Sequence, residues 1–501
     1  MQILNAAQIR SWDQFTIEKK PISSIDLMEM AAMAFCQQFQ LWYPRVDQSL
    51  QIFCGPGNNG GDGLAIARIL HFAGYTVEVI ICNIGNKTSP DFKINLGRLP
   101  QQDTIQVYHL NPQDDLQNLP PLSLVIDAIF GSGLNRPIQG YWASLIAWIN
   151  ERAQTIVSVD IPSGLPSDSI LDGPAIMAKQ TVGFQVPKLA YFLPENGEFV
   201  GQWTLVDIGL HPAFVEQELS AYRYSRLELV RSILQLRKTF DHKGTHGHGL
   251  LIAGSYGMMG AVQLAAKAGL RSGLGLLSLQ VPNLGYDILQ ISVPEAMVLA
   301  DPNPKAISQI PALDIYKGIG IGPGLGQAIE TQKALFQLIE KTTTPLVIDA
   351  DALNILARNK ERLKTLPKNS ILTPHPGEFR RLFGKSTDSK SEIQRLQQMA
   401  VELEVIIILK GAFTRIASPE GIVYFNSTGN PGMATGGSGD VLTGILTGLM
   451  TQGYPAIHAA LLGVWLHGKA GDLAALKQHP IAMNAGDIIS EIGAAYSKLE
   501  E

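Results

Sequence analysis

Asn430-Pro-Gly-Met-Ala-Thr-Gly-Gly-Ser-Gly-Asp-Val-Leu-Thr443 carries four glycines and two small hydroxyl residues straight into Val441-Leu-Thr-Gly-Ile-Leu446, an apolar run whose spacing predicts a helix. A glycine-rich turn that opens a helix leaves several backbone N–H groups without intrahelical partners, and the helix dipole adds partial positive charge there. Such a turn is an anion site, with phosphate its usual guest. Asp440 stands where that field is strongest. A carboxylate beside bound phosphate is unfavourable unless it has a task, and taking a proton from a hydroxyl is the evident one. The competing reading is a plain glycine turn in which Asp440 only caps the helix.

The chain around this stretch has 501 residues, 46% of them hydrophobic and 17% charged, enough for two ordinary domains or a crowded three. A net charge of −5 with no basic run argues against a nucleic-acid surface. Cys36, Cys54 and Cys82 show neither metal-ligand spacing nor even pairing, and read as reduced core thiols. The N-terminus, with Arg10, Asp13 and Glu18, does not read as a signal peptide, and apolar runs such as residues 405–409 are far too short to span a bilayer. The expectation is a soluble cytoplasmic protein without a membrane partner.

In the first half, Ile25, Met28, Ala32, Phe35 and Phe39 mark a helix over Ser24–Trp42 behind a serine cap. A strand at residues 51–54 leads into the loop Gly55-Pro-Gly-Asn-Asn-Gly-Gly-Asp-Gly63, with a helix expected from Leu64 to Phe72 and further strands at 77–81, 123–126 and 155–159. A helix near 141–149 separates the last two. Strands alternating with helices imply a parallel α/β sheet, with ligands beyond the carboxyl ends of its strands. Those ends carry Asn58, Asn59 and Asp62, then Asp127 and Gly131-Ser-Gly-Leu-Asn-Arg-Pro137, then Asp160 and Ser163. Hard oxygen donors of low total charge suit an alkali metal ion or a polar substrate better than zinc. Gly55, Gly57 and Gly60 also match the glycine spacing of dinucleotide folds, with Glu78 suitably placed, although Asp62 would repel a pyrophosphate. A ligand-free turn of Asn and Gly is the third reading.

Between Leu210 and Lys238 the pattern turns charged and helical, and the domain boundary is expected near residues 216–224, giving domains 1–220 and 221–501. A second α/β series follows. Asp241-His-Lys-Gly-Thr-His-Gly-His248 invites a metal reading, but its glycines favour a structural or phosphate-facing loop. Residues 345–349 form a buried-strand pattern that delivers Asp349 and Asp351 to one edge. His375 and Glu378 follow another short strand, the first a substrate donor or a turn cap, the second a solvated surface acid or, as the lesser reading, a group that organises magnesium through water. Lys410 ends the apolar strand at 405–409 and is a phosphate or ribose contact, or an ordinary strand-end charge.

Asn58-Asn-Gly-Gly-Asp62, Asp127-Ala-Ile-Phe-Gly-Ser-Gly133 and Val159-Asp-Ile-Pro-Ser-Gly164 resemble the epimerase domain of the bifunctional NAD(P)H-hydrate repair enzymes, and the second half, ending in the glycine turn before Asp440, resembles their dehydratase domain. The resemblance implies a Rossmann-like three-layer α/β domain followed by a ribokinase-like three-layer α/β domain. It implies that Asn58, Asn59, Gly60, Gly61, Asp62, Gly131, Ser132, Gly133, Leu134, Asn135, Arg136, Pro137 and Asp160 contact the damaged dinucleotide. Potassium would be held by Asn59, Asp127 and Ser163, and Asp160 would be the acid/base group of the epimerase. In the second half Ala261, Gly324 and His375 would lie near the nicotinamide hydrate. Lys410, Gly411, Ala412, Phe413, Thr414 and Gly439 would surround ADP or ATP with its magnesium, and Asp440 would be the catalytic base. The implied substrates are NADH and NADPH hydrates, and the implied assembly is a homo-oligomer. Sugar and vitamin kinases of the ribokinase-like fold commonly carry Gly-Ala-Gly-Asp where this chain has Gly-Gly-Ser-Gly-Asp440. A small-molecule kinase fused to a nucleotide-binding module is therefore the second reading.

Overall fold

The computed structural model of the chain describes residues 1–501 apart from 86, 100–103 and 135. The chain divides into two compact units, Met1–Tyr222 and Arg223–Glu501.

The first unit is built on a seven-stranded, wholly parallel sheet in the order Gln106–Leu110, Thr76–Cys82, Ser49–Cys54, Leu124–Ala128, Thr155–Val159, Gln180–Phe184, Gln202–Val206. Burial on both faces explains why its strands read as continuous apolar runs. Leu50, Ile52 and Cys54 pack with Phe35, Phe39 and Leu64 on one side of the sheet, while Phe53 packs with Leu145, Ile146 and Ile149 on the other. Strand order reverses between Ser49–Cys54 and Leu124–Ala128, so the loops after Cys54 and Ala128 diverge and leave a crevice at that switch point.

One expectation fails here. The helix after the first strand begins at Asn58, not Leu64, and spans Asn58–Phe72. Gly60 makes the early start possible, because a Cβ there would overlap the carbonyl oxygen of Gly55. Asn58, Asn59 and Asp62 therefore ride on the opening turns of a helix whose cap, Gly57, provides no side-chain acceptor. Its first N–H groups remain available to a ligand.

The second unit holds a ten-stranded sheet. Met297–Asp301, Leu276–Pro282, His248–Ile252, Gly318–Ile321, Leu346–Ile348, Ile371–Leu372 and Ile406–Leu409 run parallel, and Arg415–Ala417 and Val423–Phe425 extend it antiparallel toward Tyr222–Tyr224. Here the order reverses between His248–Ile252 and Gly318–Ile321. Helix Ser438–Thr451 lies beneath these central strands and crosses helix Met259–Arg271. The crossing is close because Gly444 and Gly448 present backbone: Cβ atoms there would overlap the Ala265 carbonyl oxygen and the Ser272 hydroxyl. Among the described residues, no helix is long and apolar enough to cross a membrane.

Candidate active sites

In the first unit a cavity of about 510 Å³ opens at the switch point. Asn58, Asn59 and Asp62 line it from the helix start, Gly131, Ser132, Gly133 and Leu134 from the loop after Leu124–Ala128, and Asp160 from the loop after Thr155–Val159. Arg136 and Pro137 line a neighbouring hollow of about 370 Å³, which shares Arg10 and residues 132–134 with the first. Asn135 lies outside the described residues. Gly60 and Gly61 turn elsewhere: Gly60 abuts Gly55, and the Gly61 carbonyl accepts from the Asn95 amide at 3.0 Å.

Asp160 adopts φ +63, a left-handed conformation that a non-glycine residue holds only where its surroundings enforce it. Three anchors do so. The Phe184 N–H donates to its Oδ1 at 2.9 Å, the buried Lys188 ammonium pairs with the same oxygen, and the Tyr191 hydroxyl donates to its carbonyl. Asp13, on helix Ala6–Lys19, lines the same cavity. Burial, reinforced by Asp160 and opposed by Lys188, pushes its pKa up to about 7. Burial also raises Asp62 well above the carboxylate range, with Asp160 and Asp13 adding to it. Three acids thus share a cavity with Lys188 and Arg10, and at neutral pH some carboxyl groups hold protons.

Asp127 is buried and serves its neighbours. It accepts from Ser158 Oγ and the Ser163 N–H, each at 2.8 Å, and from Ser163 Oγ at 2.5 Å. Ser163 Oγ in turn receives the Phe130 N–H at 2.8 Å. The buried Asn59 amide lies against Gly131, and its Nδ2 has no hydrogen-bond partner. Amide oxygen and nitrogen are interchangeable assignments, so this orphaned position fits an oxygen turned toward a cation. Amide, hydroxyl and carboxylate oxygens carrying one negative charge fit potassium.

In the second unit the glycine turn forms as its sequence suggests, but the helix starts earlier, at Ser438. Gly437, at φ +88, is the cap. Asp440 therefore sits in the first turn and is not the cap, which removes the purely structural reading. Burial lifts its pKa to about 7, with the Asp349 carboxylate adding to the shift and Lys410 opposing it. Asp349 is buried, bonded to the Lys410 ammonium at 2.9 Å and to Thr443 Oγ1 at 2.7 Å. Burial opposes its charge, yet Lys410 and Thr443 hold its pKa below normal. The Lys410 ammonium comes within 3.3 Å of the position a Cβ would take at Gly439, so a side chain at Gly439 would press on it. Gly411, Ala412, Phe413 and Thr414 make the hairpin turn beyond Lys410, closed by Thr414 Oγ1 donating to the Gly411 carbonyl at 2.9 Å.

His375 caps helix Pro376–Phe383, its Nδ1 accepting from the Gly377 N–H at 2.9 Å. In the neutral ring the proton then resides on Nε2, which lies 3.5 Å from Glu378 Oε1 in a half-exposed side chain. Glu378 departs from expectation. It is buried rather than a surface acid, because its carboxylate closes the reciprocal cap by accepting the His375 N–H at 2.8 Å and lies 4.0 Å from Lys410. Gly324, at φ +57, packs against Ala261: a Cβ there would stand 3.1 Å from the Ala261 Cβ. Its loop is tied to the acidic edge by Gly326 N–H donating to Asp351 at 2.9 Å.

The histidine loop makes local contacts only with what surrounds it: His246 lies 3.5 Å from Asp241, and His248 bonds Ser278 at 2.9 Å. No group of three or more His, Cys, Asp or Glu among the described residues is arranged to hold a metal ion.

Two family profiles match the chain: a YjeF-related protein N-terminus over residues 24–190 and an NAD(P)H-hydrate dehydratase over residues 249–493. The chain is 37% identical to the bifunctional NAD(P)H-hydrate repair enzyme Nnr of Moorella thermoacetica, covering 100% of this chain and 98% of that one. The chain belongs to the family of bifunctional NAD(P)H-hydrate repair enzymes. A second such repair enzyme, from Thermofilum pendens, is 32% identical over 100% of this chain and 97% of its own. A ribokinase-like superfamily protein of Enterococcus faecalis is similar in structure, with a TM-score of 0.50 and 26% identity over 56% of this chain and 98% of that one. These likenesses establish the repair family and the ribokinase-like second half, and they disfavour the kinase reading.

Sequence pattern does not single out Lys188 or Asp13. Lys188 is a single lysine after a strand, and Asp13 shares a polar helix with Glu18 at no catalytic or ligand spacing, so neither carries a signal. Nor does it mark His467, which burial pushes down to a pKa of about 4 and which bonds Ser438 at 3.2 Å, steadying the glycine turn in its neutral form.

Proposed function

We propose that the first unit interconverts the R and S forms of hydrated NADH and NADPH, and that the second dehydrates the S form using ADP or ATP with magnesium. One observation carries the second half of this reading: Asp440, with a pKa near 7, stands in the first turn of a glycine-headed helix beside the Lys410–Asp349 pair. Near neutral pH such a carboxylate is basic enough to accept a proton and ionised often enough to do so.

Asp440 takes the hydroxyl proton of the hydrate as that oxygen attacks the terminal phosphoryl group of the nucleotide, whose bridging phosphorus–oxygen bond breaks to release AMP from ADP or ADP from ATP. The N–H groups of the Gly437 turn and the Lys410 ammonium offset the charge that builds on the phosphoryl oxygens. Phosphate then departs with the carbon–oxygen bond pair, driven by the ring-nitrogen lone pair, and loss of a ring proton restores the reduced nicotinamide. Magnesium bound to the nucleotide phosphates would neutralise part of their charge, as suits a cation that keeps its waters. His375 Nε2–H donates to the substrate.

In the first unit Asn59, Asp127 and Ser163 would hold potassium, which would supply fixed positive charge at the cavity wall. Asp160, oriented by Lys188 and Phe184, exchanges the proton that epimerisation requires, with Asp13 on the same cavity. The R form, unusable by the second unit, becomes its substrate. Mixed epimers supplied with ADP and magnesium test the reading: complete recovery of reduced nicotinamide with release of inorganic phosphate supports it, and a lasting phosphoester product refutes it.

A further inference from the structure

A groove of about 500 Å³ in the second unit, lined by Gln327, Asn354, Ala357, Arg358 and Arg381, takes no part in the steps above. Arg358 ends helix Ala350–Arg358 and Arg381 belongs to helix Pro376–Phe383, and these two helices pack together. Both guanidinium groups are exposed, and among the described residues neither has a carboxylate partner. Some arginines of this unit are paired, Arg362 with Glu340 at 2.5 Å and Arg415 with Glu392 at 2.8 Å, and Arg231, Arg237 and Arg395 donate to backbone carbonyls; Arg358 and Arg381 are the two that line one groove together. Two unpaired cations directed to one groove repel each other unless an anion joins them.

The groove borders the reaction centre on two sides. Gln327 follows the Gly324–Gly326 loop and donates to Asp351 at 3.2 Å. Arg381 Nη1 stands 3.8 Å from the position a Cβ would take at Gly377, two residues beyond His375. A ligand whose reactive ring lies at Gly324 and His375 can therefore extend into the groove. Gln327 Oε1 is a buried acceptor with no hydrogen-bond partner. It would repel a bare anion and suits a hydroxyl, so the groove fits a sugar phosphate better than an inorganic ion.

We infer that Arg358 and Arg381 form the subsite that grips a phosphate of the dinucleotide during dehydration, with Gln327 accepting from a neighbouring ribose hydroxyl. The fork of guanidinium donors matches phosphate oxygens two at a time. This deepens the proposed function and rests on it. The phosphate is either the pyrophosphate common to both substrates or the extra phosphate of NADPH hydrate.

Steady-state kinetics of Arg358→Ala, Arg381→Ala and the double variant, with the S forms of NADH and NADPH hydrates assayed separately, test it. Each single variant should raise KM about tenfold and the double variant further, in line with charge-assisted hydrogen bonds lost at a partly exposed site. Arg362→Ala, at a half-buried arginine paired with Glu340 outside the groove, should leave KM unchanged. Equal losses with both substrates assign the pyrophosphate; a loss confined to NADPH hydrate assigns the extra phosphate. If wild type turns over and the double variant keeps its KM within twofold for both substrates, the subsite is refuted alone. If wild type turns over neither hydrate, the proposed function falls and the subsite with it.

Discussion

Replacing Lys188 with Met should strand a negative charge in the first unit. The lysine side chain is 1% exposed, pairs with Asp160, opposes the nearby Asp13 carboxyl, and shares its cavity with Arg10. Methionine fills similar volume but leaves Asp160 with the Phe184 N–H alone. Breaking a buried ion pair from one side costs about 3–5 kcal/mol. The variant can instead protonate a carboxyl of ordinary acidity, which costs ~4 kcal/mol at pH 7 and ~1.5 kcal/mol at pH 5. Both routes predict a destabilisation of about 4 kcal/mol at neutral pH that shrinks on acidification. Five of the six tryptophans, Trp12, Trp42, Trp142, Trp148 and Trp203, fall in the first unit, so denaturant unfolding followed by tryptophan fluorescence reports mainly on it. Adding Asp160→Asn should recover most of the loss, because the two residues form one pair. A cost below about 1 kcal/mol at pH 7, or no relief from Asp160→Asn, refutes the pairing account.

Dehydration should follow Asp440: kcat/KM of the free enzyme should fall about tenfold per pH unit below a pKa near 7 and level off above it, and a profile flat from pH 5 to 8 contradicts the assigned base. Because that pKa lies above the ordinary 3.8, the folded state binds a proton the unfolded state has lost, so this group's contribution to stability is complete below 3.8 and declines as pH rises to about 7; Asp440→Asn should remove that slope from the melting-versus-pH curve of the second unit. Gly444→Val should force helix Ser438–Thr451 away from the Ala265 carbonyl and destabilise the second unit by at least ~3 kcal/mol, the upper end for overpacking; an unchanged denaturation midpoint excludes the tight crossing. Replacing potassium with tetramethylammonium should slow recovery of the R form and leave recovery of the S form unchanged, as measured by return of reduced nicotinamide; equal rates for both forms would argue against the Asn59–Asp127–Ser163 site.

The α/β alternation is legible because strands buried on both faces, such as those containing Ile52, Ile126 and Ile407, are unbroken apolar runs between glycine-rich loops. The start of helix Asn58–Phe72 is not legible, because Asn-Asn-Gly-Gly is turn chemistry by local preference and becomes helix only through the tight approach of Gly60 to Gly55. The same limit affects Glu378, whose burial follows from a reciprocal cap with His375. Residues adjacent in sequence to a glycine loop, such as Asp440 and Gly439, announce themselves through that loop. Lys188, Asp13 and Arg358 acquire their surroundings only through tertiary convergence, which leaves no periodic trace.

Asp440→Asn addresses the central claim most directly. With the S form of hydrated NADH, ADP and magnesium, reduced nicotinamide and inorganic phosphate should appear together in wild type, and the variant should bind nucleotide yet lose about two to four powers of ten in rate. Near wild-type turnover by the variant, or phosphate release uncoupled from recovery of the reduced nicotinamide, would contradict a carboxylate-initiated, phosphorylation-driven dehydration.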